Sequence, residues 1–351
     1  MRRSAAIEGA VNRVARRCAE RDDARALRLD LIEEIRHSVG FDAYAWLLTD
    51  PVTEVGSAPL ADVPWLRELP RQIRLKYLTP VNRWTSLSEP SVGCLRAVTG
   101  DRPEQSLVWR ELLVGYDVTD VASVVFRDRY GCWAFLELWR TGSTRPYDTA
   151  DSDVLSAITE TVTAALRRSQ ARTFELDAPT LERAGPVVLM LTADLEVRAQ
   201  TVETEEYLRL LVPPDADHSP IPAGAYNVAA QLLAVEAGVD HHSPSARVHL
   251  ADGVWLTLRA ARLARAGVAD EIAVTIERSS PGERLDLFSR ACGLTSREAE
   301  LLGHLAAGAD TRRTAELMFL SEHTVQDHLK AIFAKTGAPN RRALLAQATG
   351  R

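Results

Sequence analysis

Polar side chains at helical spacing mark one short stretch of the chain, residues 321–330. His323, Gln326, Asp327 and Lys330 recur three or four residues apart, so they share one face of a predicted helix. Amide, carboxylate and ammonium groups can hydrogen-bond to the edges of DNA bases, and the major groove admits one α-helix. The stretch therefore predicts a helix that reads base pairs. The alternative is an ordinary packed helix with a solvated polar face.

The surrounding residues predict four short helices that hold this stretch in place. Thr295 and Glu298 have the spacing of a capping box, so the first helix begins at residue 296. Asp310, Ser321 and Asn340 are N-cap types for the second, third and fourth helices. Apolar residues lie 4, 7 and 8 positions after Val325 and predict a buried stripe on the opposite side of this helix. The stripe is Val325, Leu329, Ile332 and Phe333.

Two arginines stand where a helix dipole disfavours positive charge. Arg341 and Arg342 occupy the first turn of the predicted fourth helix, the end at which cations are destabilised. An approaching phosphate group removes that conflict, because helix N-termini favour phosphate. We therefore expect these two side chains to contact a DNA backbone.

The final 58 residues resemble the LuxR/FixJ-type DNA-binding domain. The resemblance rests on Leu294-Thr295-x-Arg297-Glu298-x-Glu300, Gly308, Ala315, Leu320-Ser321-x-x-Thr324-Val325, His328, Ile332 and Lys335-x-Gly337. It implies an all-α four-helix domain that binds double-stranded DNA as a homodimer, with the helix from Ser321 in the major groove. It implies base contacts at Gln326, Asp327 and Lys330, and phosphate contacts at Thr324, His328, Arg341 and Arg342. We expect Ser321 and His323, on the same helix, to contact DNA as well. The fourth helix, with Leu344 and Leu345, would pair the two copies.

The stretch also departs from that family. Gln326 stands where lysine is frequent, and Asp327 places a negative charge on the face that would meet DNA. Glutamine suits adenine and aspartate can accept from cytosine N4, so we expect an altered site sequence. Arg313 and Thr314 replace a common Glu-Ile pair, and the second helix thereby loses an apolar anchor.

Charge is arranged as expected for a DNA-binding tail on an acidic body. Residues 294–351 carry eight Arg or Lys residues and six Asp or Glu residues, whereas the whole chain has a formal net charge of −6. The excess of basic over acidic residues in this region is small, whereas a strongly basic module has a pI above about 9. We expect few phosphate contacts per copy, so that affinity depends on dimerisation.

Length and composition predict a multidomain cytoplasmic protein. At 351 residues, 46% hydrophobic and 26% charged, the chain suits two to three globular domains. Its four cysteines lack metal spacing and favour reduced thiols, and no signal peptide or membrane span is predicted. We expect no cofactor and no enzymatic activity, because catalytic and nucleotide fingerprints are missing. The cluster Asp240-His241-His242 with His249 is a poor metal site, since adjacent loop histidines seldom converge on one ion.

Residues 1–170 predict an α+β sensor resembling a GAF domain, with flanking helices. The basis is element order, namely helices to residue 39, a strand at 43–48, an irregular insert, a hairpin at 120–139 and a closing helix at 149–170. Six of the seven tryptophans lie before residue 140, and a small-molecule effector pocket is predicted to be lined by Trp46, Trp65, Trp84, Trp109 and Trp133, with Trp139 nearby. The alternative is that these indoles are simply core.

The closing helix at 149–170 carries an apolar stripe with two interpretations. Leu155, Ile158 and Val162 recur at helical spacing. They either pack on their own sheet or pair with the same helix of a second copy, and we favour the dimer contact.

Residues 171–280 predict a second α+β unit with the element order of a PAS domain. After a linker at 171–185 come a hairpin at 187–200, helices at 203–211 and 224–237, and strands at 246–250, 254–262 and 271–278. Residues 279–282 are predicted to be the hinge to a third domain, 281–351. The sequence thus favours a sequence-specific transcription regulator controlled by its sensory domains. The alternatives are a protein-interaction regulator with a weakened DNA-binding module, and an enzyme within the N-terminal fold.

Overall fold

The computed structural model describes residues 2–21, 23–174, 187–204, 223–250, 253–263 and 271–350. Contacts group the chain into two compact units. The first unit contains Met1–Leu166, Glu182–Val248 and Thr257–Glu277, and the second contains Arg167–Leu181, His249–Leu256 and Arg278–Arg351. Both predicted α+β regions fall mainly in the first unit, and the predicted domain boundaries at 170 and 280 stay a prediction.

The first unit begins with a five-stranded antiparallel sheet in the order β2-β1-β5-β4-β3. Its strands are β1 (Ala43–Thr49), β2 (Gly56–Asp62), β3 (Val92–Cys94), β4 (Val118–Asp128) and β5 (Gly131–Thr141). Its helices are α1 (Arg2–Glu20), α2 (Ala24–Val39), α3 (Leu69–Tyr77), α4 (Leu95–Val98), α5 (Leu107–Glu111) and α6 (Thr149–Arg172), of which the part from Arg167 onward is grouped with the second unit. Three 3-10 turns, Leu66–Glu68, Pro103–Gln105 and Leu113–Tyr116, complete the insert.

The two faces of this sheet carry different side chains. Trp46 pairs with Leu136 and stacks on Phe126 at 5.3 Å. The neighbouring positions of β1 and β5, Leu47 and Phe135, pair with each other. Successive residues of a strand point to opposite faces, so Phe135 and the rings packed on it lie on the face opposite Trp46.

A second five-stranded sheet has the order β7-β6-β10-β9-β8. Its strands are β6 (Val187–Leu191), β7 (Val197–Gln200), β8 (Ser245–His249), β9 (Trp255–Arg262) and β10 (Ile272–Arg278). Helix α7 (Ala223–Glu236) is buried on nearly every side and packs against α3 and β2. A helix that is apolar all round is a core helix, so α7 belongs to the interior of the first unit.

Buried ion pairs also join the loops that follow β1 and α3 to β8 and to the loop that precedes it. Arg247 donates to both carboxylate oxygens of Asp50, at 2.6 and 2.8 Å, and Arg83 donates to Asp240 at 2.7 Å. All four side chains have less than a tenth of their surface exposed. Buried charges are tolerated when they are paired, and here the pairs join residues that lie far apart in the chain.

The second unit contains five helices of the C-terminal region. These are α8 (Pro281–Ala291), α9 (Ser296–Ala306), α10 (Thr311–Met318), α11 (Glu322–Thr336) and α12 (Arg341–Thr349). Residues 281 and 282 of the predicted hinge at 279–282 are helical, because Ser280 and Glu283 form a capping box that begins α8. The hinge itself stays a prediction. The predicted helix at 203–211 and linker at 171–185 lie largely outside the described residues.

Candidate nucleic-acid interface

Side-chain caps fix where each helix of the C-terminal module begins. Thr295 Oγ1 accepts from the backbone N–H of Glu298, and the backbone N–H of Thr295 donates to the Glu298 carboxylate, which completes the predicted capping box. Asp310, Ser321 and Asn340 accept from the N–H three residues on. Gly337 ends α11 in the left-handed conformation, with φ of 69°. The position and length of α11 therefore follow from local sequence.

The polar face predicted for α11 lies open. His323, Gln326, Asp327 and Lys330 are exposed, and Thr324 and His328 are half-buried beside them. On the other side Val325, Leu329 and Ile332 are buried, while Phe333 is only half-buried. The helix thus separates a packed stripe from a polar face, which we call the reading face and define as His323, Gln326, Asp327 and Lys330.

Neighbouring side chains hold the reading face in a connected arrangement. Lys330 Nζ donates to Asp327 at 3.1 Å, and His323 Nε2 lies 3.5 Å from the same carboxylate. The hydrogen bond from Lys330 lowers the pKa of Asp327. Gln326 Nε2 donates to Thr311 Oγ1 of α10 at 3.4 Å. Gln326, Asp327 and Lys330 therefore bind a further partner only by giving up these hydrogen bonds or sharing them.

The residues expected to contact phosphate have unequal roles. Arg341 is half-buried and donates to the carbonyl of Ala309, so it supports the turn after α9. Arg342 is exposed, and it has no ion-pair partner in the described part of the chain. Ser321 and Thr324 share a hydrogen bond of 2.8 Å between their hydroxyls at the start of α11.

Packing behind the reading face includes a defect that the sequence pointed to. Thr314 replaces an apolar residue, is fully buried, and its hydroxyl lacks a hydrogen-bond partner. An unsatisfied buried hydroxyl is destabilising. The buried hydroxyl of Thr336 instead donates to the carbonyl of Ile332 at 2.9 Å.

The five tryptophans predicted to line a pocket do not share one face of the first sheet. Trp84 stacks on Phe135 at 4.5 Å, opposite the face that holds Trp46. Trp65, Trp46, Trp84 and Trp133 are at most 2% exposed, and Trp109 is half-buried. Trp65 packs edge-on against Trp139 at 5.7 Å. This arrangement matches the alternative in which the indoles are core, and the pocket stays a prediction.

Sequence reasoning missed a buried polar cluster beside these rings. On the face of Phe135, Lys76 forms an ion pair with Glu137, and Ser123 donates to Glu137 at 3.1 Å. Asn82 Nδ2 donates to Ser123, while Asn82 Oδ1 is buried without a partner. We call Lys76, Asn82, Ser123 and Glu137 the polar cluster. Only its tertiary arrangement reveals it, because the four residues are scattered over 62 positions of the sequence.

The residues expected to pair two copies are largely used within one chain. Leu155, Ile158 and Val162 are at most 1% exposed, and Leu155 and Ile158 line a crevice with Val14 of α1 and Ile35 of α2. These three side chains are therefore packed inside their own chain, as in the first of the two interpretations of the stripe. Leu344 is buried and Leu345 is half-buried.

The histidine cluster is hydrogen-bonded internally. His242 Nδ1 lies 2.6 Å from Asp240 Oδ1, and the other oxygen of that carboxylate accepts from Arg83 and Thr85. The hydrogen bond to Asp240 raises the pKa of His242. These contacts occupy the carboxylate, and the absence of a metal site stays a prediction. None of the described helices is both long and apolar enough to cross a membrane.

Comparison with known proteins identifies the C-terminal module. Residues 293–348 match the GerE family model, described as bacterial regulatory proteins, luxR family. Among curated proteins none matches the chain. A crystal structure of Escherichia coli SdiA matches at 14% identity and a TM-score of 0.35, covering 95% of this chain and 94% of that one. SdiA in complex with octanoyl-rac-glycerol matches at 13% identity and a TM-score of 0.30, covering 90% and 86%. These TM-scores are too low for either structure to indicate a shared fold. The family match identifies residues 293–348 as a luxR-type helix–turn–helix domain.

Proposed function

We propose that this chain is a sequence-specific DNA-binding transcription regulator of the luxR type. The observation that carries the proposal is the reading face, four polar side chains exposed on α11 and backed by a buried stripe. A helix with such a face suits the major groove, where glutamine, aspartate and lysine distinguish base pairs. The site residues are those expected from the sequence, with Arg341 reassigned to a supporting role.

We infer that the regulator acts as a homodimer. The cations of the module are largely engaged with acidic partners, as in Arg313 with Glu316 at 3.0 Å and Lys330 with Asp327 at 3.1 Å. Few of them contact phosphate without giving up a bond, so one copy gains little electrostatic affinity. Two copies on adjacent half-sites restore useful binding, and half-sites of such dimers lie roughly 10 base pairs apart.

We propose further that the first unit senses an effector in the cytoplasm. Both sheets have the strand order second-first-fifth-fourth-third, and this repetition supports GAF-like and PAS-like sensory folds. The polar cluster supports a ligand site better than the indoles do, because convergent buried polar groups on an apolar face are typical of binding sites. A thermal-shift screen of small molecules tests this point. A stabilising compound should lose its effect in Glu137→Gln and keep it in the exposed control Glu111→Gln.

Selection of duplexes from a random pool by the full-length protein tests the main proposal. We expect enrichment of a motif with two related half-sites, and footprints that weaken as salt concentration rises. The second candidate is a protein-interaction regulator with a weakened DNA-binding module, favoured by Asp327 and its ion pair on the reading face. Failure to enrich any duplex at low or high salt would support that candidate and reject the first.

A further inference from the structure

The second unit contains a cleft that the proposed function does not use. It encloses about 340 Å³ including its open mouth. Its walls come from the start of β9, the beginning of α8 and the end of α12, with Gly253, Trp255, Arg278, Ser279, Arg284 and Gly350 among the lining residues. Among the described residues, the lining includes two arginines and no acidic side chain. We call this space the Arg284 cleft.

Arg284 is a buried cation without an anionic partner. It is 5% exposed, and its Nε donates to the carbonyl of Gln347 at 3.1 Å while another nitrogen donates to the carbonyl of Gly253. Its guanidinium lies 4.9 Å from the ring centre of Phe174. No carboxylate of the described ranges bonds to it, and burial lowers its pKa to about 10. Arginine is almost never buried unless it is paired, so Arg284 is unusual in having no anionic partner among the residues that the structure describes.

A second polar group in the wall of the same cleft lacks a hydrogen-bond partner. Trp255 is 4% exposed, and its indole Nε1 is buried without a hydrogen-bond partner. Its ring stacks on Phe174 at 5.2 Å, which holds the indole in place. Buried indole N–H groups normally find an acceptor. The cleft therefore has a cation that lacks an anion and a donor that lacks an acceptor.

We propose that the Arg284 cleft binds a compact oxyanion, a carboxylate or phosphate group carried by a small molecule. Such a group is both an anion and an acceptor, and guanidinium groups recognise it through two parallel hydrogen bonds. Arg278 brings a second guanidinium to the lining. Ser279 also lines the cleft, directly before the Ser280 cap of α8.

The position of the cleft gives the anion a structural effect. Arg284 already connects α8 to the last turn of α12 through the carbonyl of Gln347. A bound oxyanion would neutralise Arg284 between these helices and the start of β9. Ligands that bind only the folded state stabilise it, so we expect the anion to stabilise the region that follows the reading helix in sequence.

Titration calorimetry of the full-length protein, free of DNA, tests the proposal. Sodium phosphate and sodium succinate are the two probes, with sodium chloride at matched ionic strength as the blank. We expect saturable binding of one anion per chain and a rise in melting temperature. Loss of a hydrogen bond to a charged group corresponds to about a tenfold loss of affinity, and this is the change expected for Arg278→Gln. Trp255→Phe keeps the stacked ring, removes the N–H and should weaken binding in the same direction.

Arg110→Gln is the matched control, because Arg110 is exposed on α5 and its removal changes the net charge equally. It should bind the probes as the unaltered protein does. Absence of saturable binding by both probes would overturn the proposal, as would equal binding by Arg278→Gln, Trp255→Phe and the control. A third arm adds a DNA duplex to the anion complex. Displacement of the anion by the duplex would assign the cleft to backbone phosphate and reject a small-molecule site.

Discussion

Lys335 Nζ donates to Glu298 Oε2 across 2.6 Å and so joins the end of α11 to the cap of α9. Glu298 is 4% exposed, and the same oxygen accepts from the backbone N–H of Thr295 at 2.6 Å. One carboxylate therefore completes a capping box and also anchors the reading helix. Lys335 is thus structural, although it is a cation on α11.

The Glu298 bond predicts a pH-dependent stability. Burial raises the pKa of Glu298, but the hydrogen bonds from Lys335 and Thr295 outweigh it and bring the pKa below its usual 4.5. A carboxyl whose pKa is lowered by folding contributes stability above its unfolded pKa, and loses that contribution as pH falls. Glu298→Gln should therefore lower the free energy of unfolding of the module by about 1–3 kcal/mol at pH 7.

Hydrogen exchange in peptides covering residues 296–336, measured in urea, gives the free energy of unfolding of the variant and of the unaltered protein. The difference between these two free energies should shrink as pH falls below about 4.5, because the unaltered carboxyl then also takes up a proton. Glu300→Gln is the control, because Glu300 is an exposed partner of Arg297. A difference between Glu298→Gln and the unaltered protein that stays constant from pH 7 to pH 3 would show that the charge is unimportant.

The unsatisfied hydroxyl of Thr314 predicts a stabilising substitution. Thr314→Val replaces the buried hydroxyl with a methyl group and should raise the free energy of unfolding of the module by about 1 kcal/mol. Thr336→Val should act in the opposite direction, because the Thr336 hydroxyl is hydrogen-bonded. Urea unfolding followed by hydrogen exchange compares the two. Destabilisation by both would mean that the Thr314 hydroxyl has a partner after all.

The two arginines at the start of α12 should differ in their effects. Arg342→Ala removes an exposed cation and should weaken binding to all duplexes alike, with the slope of log affinity against log salt flatter by about 0.9 per contact. Arg341→Ala removes the bond to the Ala309 carbonyl, so it should lower thermal stability as well. Fluorescence anisotropy at four salt concentrations, together with melting curves, separates these outcomes. Identical salt slopes for Arg342→Ala and the unaltered protein would place Arg342 away from DNA.

The C-terminal module was predictable because its signals are local. Caps such as Ser321 and Asn340, the stop at Gly337 and the stripe behind the reading face each act within a few residues, and all appear in the structure. Helix α8 is not predicted from the sequence, although Ser280 and Glu283 carry the same kind of signal, because Pro281 and Gly282 also favour a hinge. Proline is in fact favoured in the first turn of a helix.

The first unit was less predictable because its decisive contacts are distant in sequence. Strand β2 contains Gly56 and Pro59, which disfavour strands, and it is tolerated because it lies at the sheet edge. Periodicity identified the stripe of Leu155 and Ile158 but not the partner that buries it. The polar cluster around Glu137 depends on residues from α3, β4 and β5, which only the folded sheet brings together.

Binding of an enriched duplex by Lys330→Ala tests the central claim most directly. Lys330 is 73% exposed at its side chain on the reading face, and the exposed Arg129 of the β4–β5 turn gives a control, Arg129→Ala, with the same loss of charge. We predict that Lys330→Ala loses roughly 1–3 kcal/mol of specific affinity and tolerates other bases at one position of the site, while the control is unchanged. Equal affinity, equal specificity and the same footprint for both variants would contradict the claim that this face of α11 reads DNA.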